Sequence, residues 1–254
     1  MISVRRILSL LFPGKKAPPL AVDPKIAAFQ NIINYRFRDP ALLKHALTHK
    51  SCAGGDDPDG ILSNERLEFL GDSFINCLVT EHLYRMNPDK SEGQLSKIKS
   101  LVVSRKILGE VAMGLDMGRY LIMSHAEERA GGRARVSTVS NAFEAVAGAM
   151  YLDGGIDVVR TFLEMCLFGR IDGFLEDERN VNYKSKILEM SQRDGLGIPR
   201  YVTIEATGPD HAKQFTVKIY IGSTEMGEGT GQSKKIAQQT AAQNAVANYN
   251  IIPK

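Results

Sequence analysis

Cysteine is scarce in this sequence of 254 residues, which contains only Cys52, Cys77 and Cys166. None of the three belongs to a CxxC pair or to a Cys/His group with the spacing of zinc ligands, so the sequence predicts neither a zinc site nor a disulfide framework. Isolated thiols of this kind are typical of the reducing cytoplasm, where we expect the protein to reside. Cys77 has the spacing of a helix core position, and we expect it to pack in a core.

Long apolar runs are also missing. No uninterrupted apolar stretch approaches the roughly 20 residues that a membrane-spanning helix needs, so no membrane partner is expected. The composition, 43% hydrophobic and 24% charged, excludes a wholly disordered chain. The length fits one large domain or two ordinary domains.

Charge is unevenly distributed along the chain. Residues 1–20 carry four basic residues and no acidic one, and residues 182–254 carry 9 Lys and Arg against 6 Asp and Glu, whereas the segment between them is acidic. As a secretory signal, the basic start has only a weak apolar segment and no convincing cleavage site, so we favour a flexible tail over residues 1–24. A short amphipathic helix on a membrane surface is an alternative that the sequence does not favour.

A change in the spacing of hydrophobic residues divides the rest of the chain into two predicted domains. Apolar residues recur three and four apart over residues 25–175, which predicts an all-α domain, and an acidic linker follows over residues 176–181. Residues 182–250 predict a small α+β domain of order α-β-β-β-α. Its predicted elements are a helix at 183–193, strands at 201–206, 215–221 and 225–229, and a helix from Ser233 onward.

Acidic residues converge on one predicted helix. At about 100° per residue, Glu65, Glu68 and Asp72 fall within about 60° of one another, opposite Leu67 and Leu78. Like charges at this spacing repel, and a hard divalent cation such as Mg²⁺ would compensate them. A second predicted helix offers Asn141 and Glu144, three residues apart. The residues alone leave open that these acids form only a solvated helix face.

Short sequence motifs surround these acids. Residues 64–73 read NERLEFLGDS, and the words LTHKS (47–51), SEGQLSK (91–97), FEA (143–145) and YLD (151–153) occur in matching order. These words resemble the motifs of bacterial ribonuclease III. The C-terminal words YKS (183–185), GPDHAKQF (208–215) and GQSKK (231–235) resemble a double-stranded-RNA-binding domain. The resemblance therefore covers nearly the whole chain, as a catalytic domain over 25–175 and an RNA-binding domain over 182–250.

The resemblance implies an endoribonuclease that hydrolyses double-stranded RNA with Mg²⁺, or with Mn²⁺ in its place, and leaves 5′-phosphate and 3′-hydroxyl ends with short 3′ overhangs. It implies a role in ribosomal and messenger RNA processing. Carried over by motif position, the catalytic residues are Asp72 and Glu144, the metal-site residues are Glu68, Asp72, Asn141 and Glu144, and Glu65 and Glu92 have supporting roles.

Asn141 departs from the family pattern, which usually has aspartate at this position. An amide carbonyl can ligate a hard cation but brings no negative charge. An alternative to an active enzyme is therefore a catalytically impaired double-stranded-RNA-binding protein. A helical scaffold with an unrelated acidic patch is a further alternative, but it leaves the basic C-terminal domain unexplained.

The resemblance also implies partners and contacts. Phe69 lies close to the acidic face, where the family packs an aromatic into a partner subunit, so a homodimer is expected. His49 is expected to have a structural, hydrogen-bonded role, because nothing near it supplies a nucleophile. The expected RNA-binding residues of the small domain are Glu189, Gln192, His211, Lys213, Ser233, Lys234 and Lys235, of which the last three begin a helix whose free N–H groups favour phosphate.

Overall fold

The computed structural model describes residues 23–52, 61–209 and 212–249. The tail predicted for the N-terminus lies almost entirely outside these residues. The chain divides between Glu176 and Asp177 into two compact units, a helical unit and an α/β unit. Within the described ranges, no helix combines the length and the apolar character needed to cross a membrane.

The helical unit consists of helices joined by short connections, as its periodicity predicts. Its helices are α1 (Pro24–Ile32), α2 (Pro40–Ala46), α3 (Glu65–Met86), α4 (Glu92–Val102), α5 (Arg105–Gly114), α6 (Met117–Tyr120), α7 (His125–Arg129), α8 (Val136–Gly154), α9 (Ile156–Cys166) and α10 (Ile171–Glu176). Single 3₁₀ turns lie at Lys50–Cys52, Gly132–Ala134 and Phe168–Arg170.

Helix α8 is the centre of the helical unit and packs against α2, α3, α5 and α9. It is apolar around most of its circumference, with Phe143, Val146 and Met150 fully buried, as the sequence predicts. A helix with this pattern belongs in the interior rather than on a surface. The half-buried polar side chains of Asn141 and Glu144 are therefore exceptions on this helix.

Helices α3 and α8 approach each other with no side chain between them at two glycines. A Cβ atom on Gly71 would lie 1.7 Å from the carbonyl oxygen of Glu144, and one on Gly148 would lie 2.3 Å from the carbonyl oxygen of Leu67. Only glycine fits at either position without a backbone shift. This crossing fixes which residues of α3 face which residues of α8.

Buried Asn64 fixes the start of α3. Its backbone N–H donates to the Thr48 carbonyl oxygen at 2.9 Å, and its side-chain Nδ2 donates to the Ala46 carbonyl oxygen at 3.2 Å. Glu65 and Glu68 occupy the first turn, where the helix dipole favours negative charge. The last residue of α2 and the segment after it therefore hold the acidic end of α3 in place.

The α/β unit contains α11 (Tyr183–Arg193), β1 (Arg200–Thr207), β2 (Gln214–Ile221), β3 (Thr224–Gly231) and α12 (Lys234–Ala247), after a 3₁₀ turn at Glu178–Asn180. The strands form an antiparallel sheet in the order β1-β2-β3, and the helices pack on it through a core that includes Ile187, Val217 and Ala241. Alternate glycines of β3 face α12, and a Cβ on Gly229 would lie 2.1 Å from the Ala241 backbone nitrogen. The predicted fold class is confirmed for both units.

The prediction for Cys77 is wrong, because its side chain is exposed on α3. The buried face of this helix is formed by Leu67, Ile75, Leu78 and Val79. Cys77 is adjacent to Leu78 in sequence, but its side chain lies outside this buried face. All three cysteines are free thiols.

The crossing predicts that Gly71→Ala lowers the free energy of unfolding of the helical unit by about 1–3 kcal/mol, because the added methyl group must push two helix backbones apart. Urea denaturation followed by far-ultraviolet circular dichroism measures this. Gly93→Ala on α4 is the matched control, since its added Cβ meets nothing within 4 Å and should be neutral or stabilising. Equal midpoints for the two variants would show that the close approach is not a constraint.

Candidate active site and nucleic-acid interface

The polar side chains of α8 face the acidic side chains of α3. The Asn141 amide donates a hydrogen bond to the Glu68 carboxylate, and the Asn141 Oδ1 atom accepts a hydrogen bond from Ser140 Oγ at 3.4 Å. Glu144 lies near enough to Asp72 and Glu68 for its charge to interact with both. The structure thus brings together the four residues that the sequence singled out on the two helices.

Negative charge is in surplus at this site. Burial and, after it, the nearby charges of Asp72 and Glu68 together raise the pKa of Glu144 to about 7, against the opposing effect of Arg105. Burial and the charge of Glu65 raise the pKa of Glu68, whereas the hydrogen bond from Asn141 lowers it. The acids therefore lie close enough together for their charges to oppose one another's ionisation.

A polar cleft of about 290 Å³ opens beside this site. Glu68 and Asn141 line it, together with Glu65, His49, Glu127 and the basic residues Lys50, Arg105 and Arg135. Lys50 forms an ion pair with Glu65 at 3.1 Å, and Arg135 forms an ion pair with Glu127. The cleft is therefore lined by both signs of charge.

No three His, Cys, Asp or Glu side chains in the described ranges come close enough together to hold a metal ion by themselves. Asp72 and Glu144 do not line the cleft that Glu68 and Asn141 share. The Asp72 carboxylate accepts a hydrogen bond from Asn76 Nδ2 at 2.8 Å. An ion bound by all four oxygen-bearing side chains would therefore require some of them to rotate toward one another.

Glu92, predicted to support the site, lies apart from it within this chain. It is the first residue of α4, is exposed, and accepts a hydrogen bond from Ser96 Oγ at 2.7 Å. It is neither a lining residue of the cleft nor one of the groups whose charge acts on Glu68 or Glu144.

His49 has the structural role that the sequence predicts. Its Nδ1 atom accepts the Ser51 backbone N–H at 3.2 Å and lies 2.9 Å from Ser51 Oγ, which in turn accepts the Ser124 backbone N–H at 3.0 Å. Burial lowers the pKa of His49, which favours the neutral ring that can accept these bonds. The residue ties the segment before α3 to the segment before α7.

Phe69 projects from α3 with 78% of its surface exposed, next in sequence to Glu68. A large aromatic side chain at this level of exposure is not part of the core of its own chain. Its surroundings therefore leave it available for contact with another molecule.

The α/β unit presents its predicted RNA-binding residues at separate places. Glu189 and Gln192 are exposed on α11, Lys234 and Lys235 are exposed in the first turn of α12, and Ser233 caps α12 by accepting the Ile236 N–H at 3.3 Å. Lys213 is half-buried just before β2. His211 lies outside the described residues.

The sequence analysis missed Arg105 and Arg135. Both lie just at the start of a helix, α5 and α8 respectively, and both enter the cleft only because these helices pack together. A basic residue at a helix start gives no local signal of such a position. Only the long-range packing of the two helices reveals it.

Comparison with known proteins matches a family model to each of the two units. A family model described as Ribonuclease-III-like matches residues 39–171, and one described as Double-stranded RNA binding motif matches residues 183–249. Ribonuclease 3 of Desulforamulus reducens is 41% identical over 223 residues, which are 88% of this chain and 91% of that protein. Ribonuclease 3 of Streptomyces coelicolor is 42% identical over 207 residues, 82% of this chain and 74% of that protein.

Solved structures agree with these matches. The nuclease domain of ribonuclease III from Campylobacter jejuni is 34% identical, with a TM-score of 0.52, over 61% of this chain and 99% of that domain. A second structure of that domain, described as flexible in a region involved in dimer formation, is 37% identical with a TM-score of 0.51, over 55% of this chain and 94% of that one.

The raised pKa of Glu144 predicts a pH dependence of stability. In metal-free buffer the unfolded chain loses this proton near pH 4.5 and the folded chain near pH 7, so the free energy of unfolding falls as the pH rises between these values. The effect is at most about 3 kcal/mol, because solvent screens the charge of a half-buried side chain. Urea denaturation at a series of pH values should show that Glu144→Gln removes this part of the slope. The exposed control Glu164→Gln should retain it, and identical slopes for both variants would contradict the prediction.

Proposed function

The chain belongs to the ribonuclease III family of endoribonucleases, and on that premise we propose that it cleaves double-stranded RNA with a divalent cation held between α3 and α8. The observation that carries this proposal is the half-buried Glu144, whose pKa of about 7 reflects burial and the adjacent charges of Asp72 and Glu68. Such a cluster in a chain that also has a double-stranded-RNA-binding domain points to phosphodiester chemistry.

The donor chemistry of the site fits Mg²⁺, with Mn²⁺ as a substitute. Its four side chains offer only oxygen ligands, which hard cations prefer, and its surplus negative charge is what a cation would relieve. Glu68, Asp72, Asn141 and Glu144 would hold the ion. When bound, the ion would polarise the phosphate, activate water and stabilise the leaving oxygen.

The residues of the chain have separate roles in this proposal. Asp72 and Glu144 are the catalytic carboxylates. The Glu144 carboxyl is about half protonated near pH 7, so its oxygens become full ligands only when that proton leaves. Glu65 forms an ion pair with Lys50 in the cleft. The supporting role of Glu92 rests on the family resemblance alone, because Glu92 lies apart from the cleft in this chain.

Asn141 is the observation that favours a second candidate function. Its amide lowers the pKa of Glu68 by hydrogen bonding, and its Oδ1 atom already accepts a hydrogen bond from Ser140 Oγ at 3.4 Å. An amide also adds no charge to the site. The second candidate is therefore a double-stranded-RNA-binding protein with impaired catalysis.

We also propose, from the family resemblance, products with 5′-phosphate and 3′-hydroxyl ends and short 3′ overhangs, and a role in ribosomal and messenger RNA processing in the cytoplasm. The α/β unit would read the shape of A-form RNA over roughly 16 base pairs. The exposed ammonium groups of Lys234 and Lys235 at the start of α12 suit phosphate. Glu189, Gln192, His211, Lys213 and Ser233 complete the proposed contacts.

Cleavage of a labelled RNA duplex tests the proposal. In Mg²⁺, and again in Mn²⁺, we expect the natural chain to cut the duplex, Glu144→Gln to lose at least about 100-fold in rate, and Asn141→Asp to match or exceed the natural chain. Glu164→Gln, on the exposed face of α9, serves as the control and should cut normally.

Duplex binding without cleavage in either metal would instead support the second candidate. If Asn141→Asp then restored cleavage, the amide would be the cause of the impairment. Cleavage by Glu144→Gln at the natural rate would contradict the proposed site.

The exposure of Phe69 supports a homodimer, which would supply two catalytic units for the two strands. We expect Phe69→Asp to convert the dimer to a monomer, because a carboxylate cannot be buried unpaired at an interface. Light scattering during gel filtration at micromolar concentration measures the mass. Met113→Asp, at an exposed apolar position of α5, is the control and should remain dimeric. A dimeric Phe69→Asp variant would exclude Phe69 as the anchor.

A further inference from the structure

Arg105 stands out among the basic residues near the acids. It is the first residue of α5, and because α5 packs against α8, its side chain lines the cleft that also contains Glu68 and Asn141. The position of this arginine is therefore set by the same helix, α8, that positions Asn141 and Glu144.

The other basic residues of the cleft are already engaged. Lys50 is held by Glu65 at 3.1 Å, and Arg135 is held by Glu127 and donates from Nη2 to the Ala130 carbonyl oxygen at 3.2 Å. By contrast, no hydrogen bond or ion pair joins the Arg105 side chain to any residue that the structure describes. Its guanidinium acts on Glu68 and Glu144 only through space, lowering the pKa of both.

A free guanidinium in this place has a specific chemical use. Carboxylates repel the phosphodiester backbone of RNA, and a cationic group on the cleft wall would offset that repulsion. The planar guanidinium presents paired N–H donors that match two oxygens of one phosphate, which an ammonium group cannot do. The exposed position of Arg105 allows it to reach such a ligand without breaking an existing bond.

We propose that Arg105 contacts the RNA directly, donating hydrogen bonds to the non-bridging oxygens of a phosphodiester seated in the cleft beside Glu68 and Asn141. The inference rests on the proposed function and adds a substrate-contacting residue to it. The alternative is that Arg105 only balances the charge of the acids and never touches the substrate.

The kinetic test compares full-length Arg105→Ala and Arg105→Lys with the natural chain on a labelled RNA duplex in Mg²⁺. Arg105→Ala should lower kcat/KM by about 10- to 100-fold, as expected for the loss of a charge-assisted hydrogen bond, and Arg105→Lys should retain part of the activity. Arg119→Ala is the matched control, because Arg119 is an exposed arginine of the same unit that does not line the cleft. Its ion pair with Asp116 is long, with 3.9 Å between Nη1 and Oδ2. It should behave as the natural chain does.

A binding test separates contact from charge balance. In a Glu144→Gln background, the dependence of log Kd on log salt concentration should become shallower by about 0.9 when Arg105→Ala is added, because one phosphate contact is lost. Adding Arg119→Ala should leave this slope unchanged.

Three results would decide against the inference or separate it from the proposed function. Unchanged kcat/KM and an unchanged salt slope in Arg105→Ala would overturn it. Reduced activity with an unchanged slope would also overturn it, because that result shows charge balance without contact. If the natural chain does not cleave the duplex at all, the proposed function fails, but the salt slopes still decide whether Arg105 contacts a phosphate.

Discussion

The contact between the backbones of α3 and α8 at Gly71 and Gly148 is the constraint on which the site depends. Gly71 lies between Glu68 and Asp72 in sequence, and Gly148 lies one helical turn after Glu144. Because the two glycines allow the helices to touch, the acids on either side of Gly71 are brought to the level of Asn141 and Glu144. Larger residues at the crossing would separate the two sets of oxygen atoms.

This placement has an electrostatic cost, which the surrounding residues partly offset. Burial and two neighbouring carboxylates oppose ionisation of Glu144, so the folded state is least stable when all the acids are charged. Asn141 donates to Glu68, which an ionised aspartate at the same position could not do, and Arg105 attracts both Glu68 and Glu144. In the cation site that we propose, a neutral residue at position 141 would stabilise the ion-free state while weakening the attraction for a cation, a trade-off that is common at functional sites.

Local patterns in the sequence were sufficient to predict much of the secondary structure and the acidic face of α3. The spacing of Glu65, Glu68 and Asp72 predicted one acidic helix face, and the alternating strands were found with bounds extended by only one or two residues. The errors and omissions concern tertiary packing. The direction of Cys77 depends on where α8 lies around α3, and the entry of Arg105 into the cleft depends on how α5 packs on α8, neither of which a local period encodes. The words that resemble a known family supplied roles for residues, but they did not show that Glu92 lies apart from the cleft within this chain.

In both units, glycines allow two backbones to pack in direct contact. In the helical unit, glycines let two helices meet so that carboxylates converge. In the α/β unit, Gly227, Gly229 and Gly231 alternate along β3 and face α12, whose buried positions are alanines, so that helix and sheet also meet at backbone distance. This close packing holds α12 firmly on the sheet and leaves its first turn, with Lys234 and Lys235, exposed at the end of β3. Because small residues form both contacts, the charged side chains beside them are positioned by backbone packing, which is more rigid than contacts between long side chains.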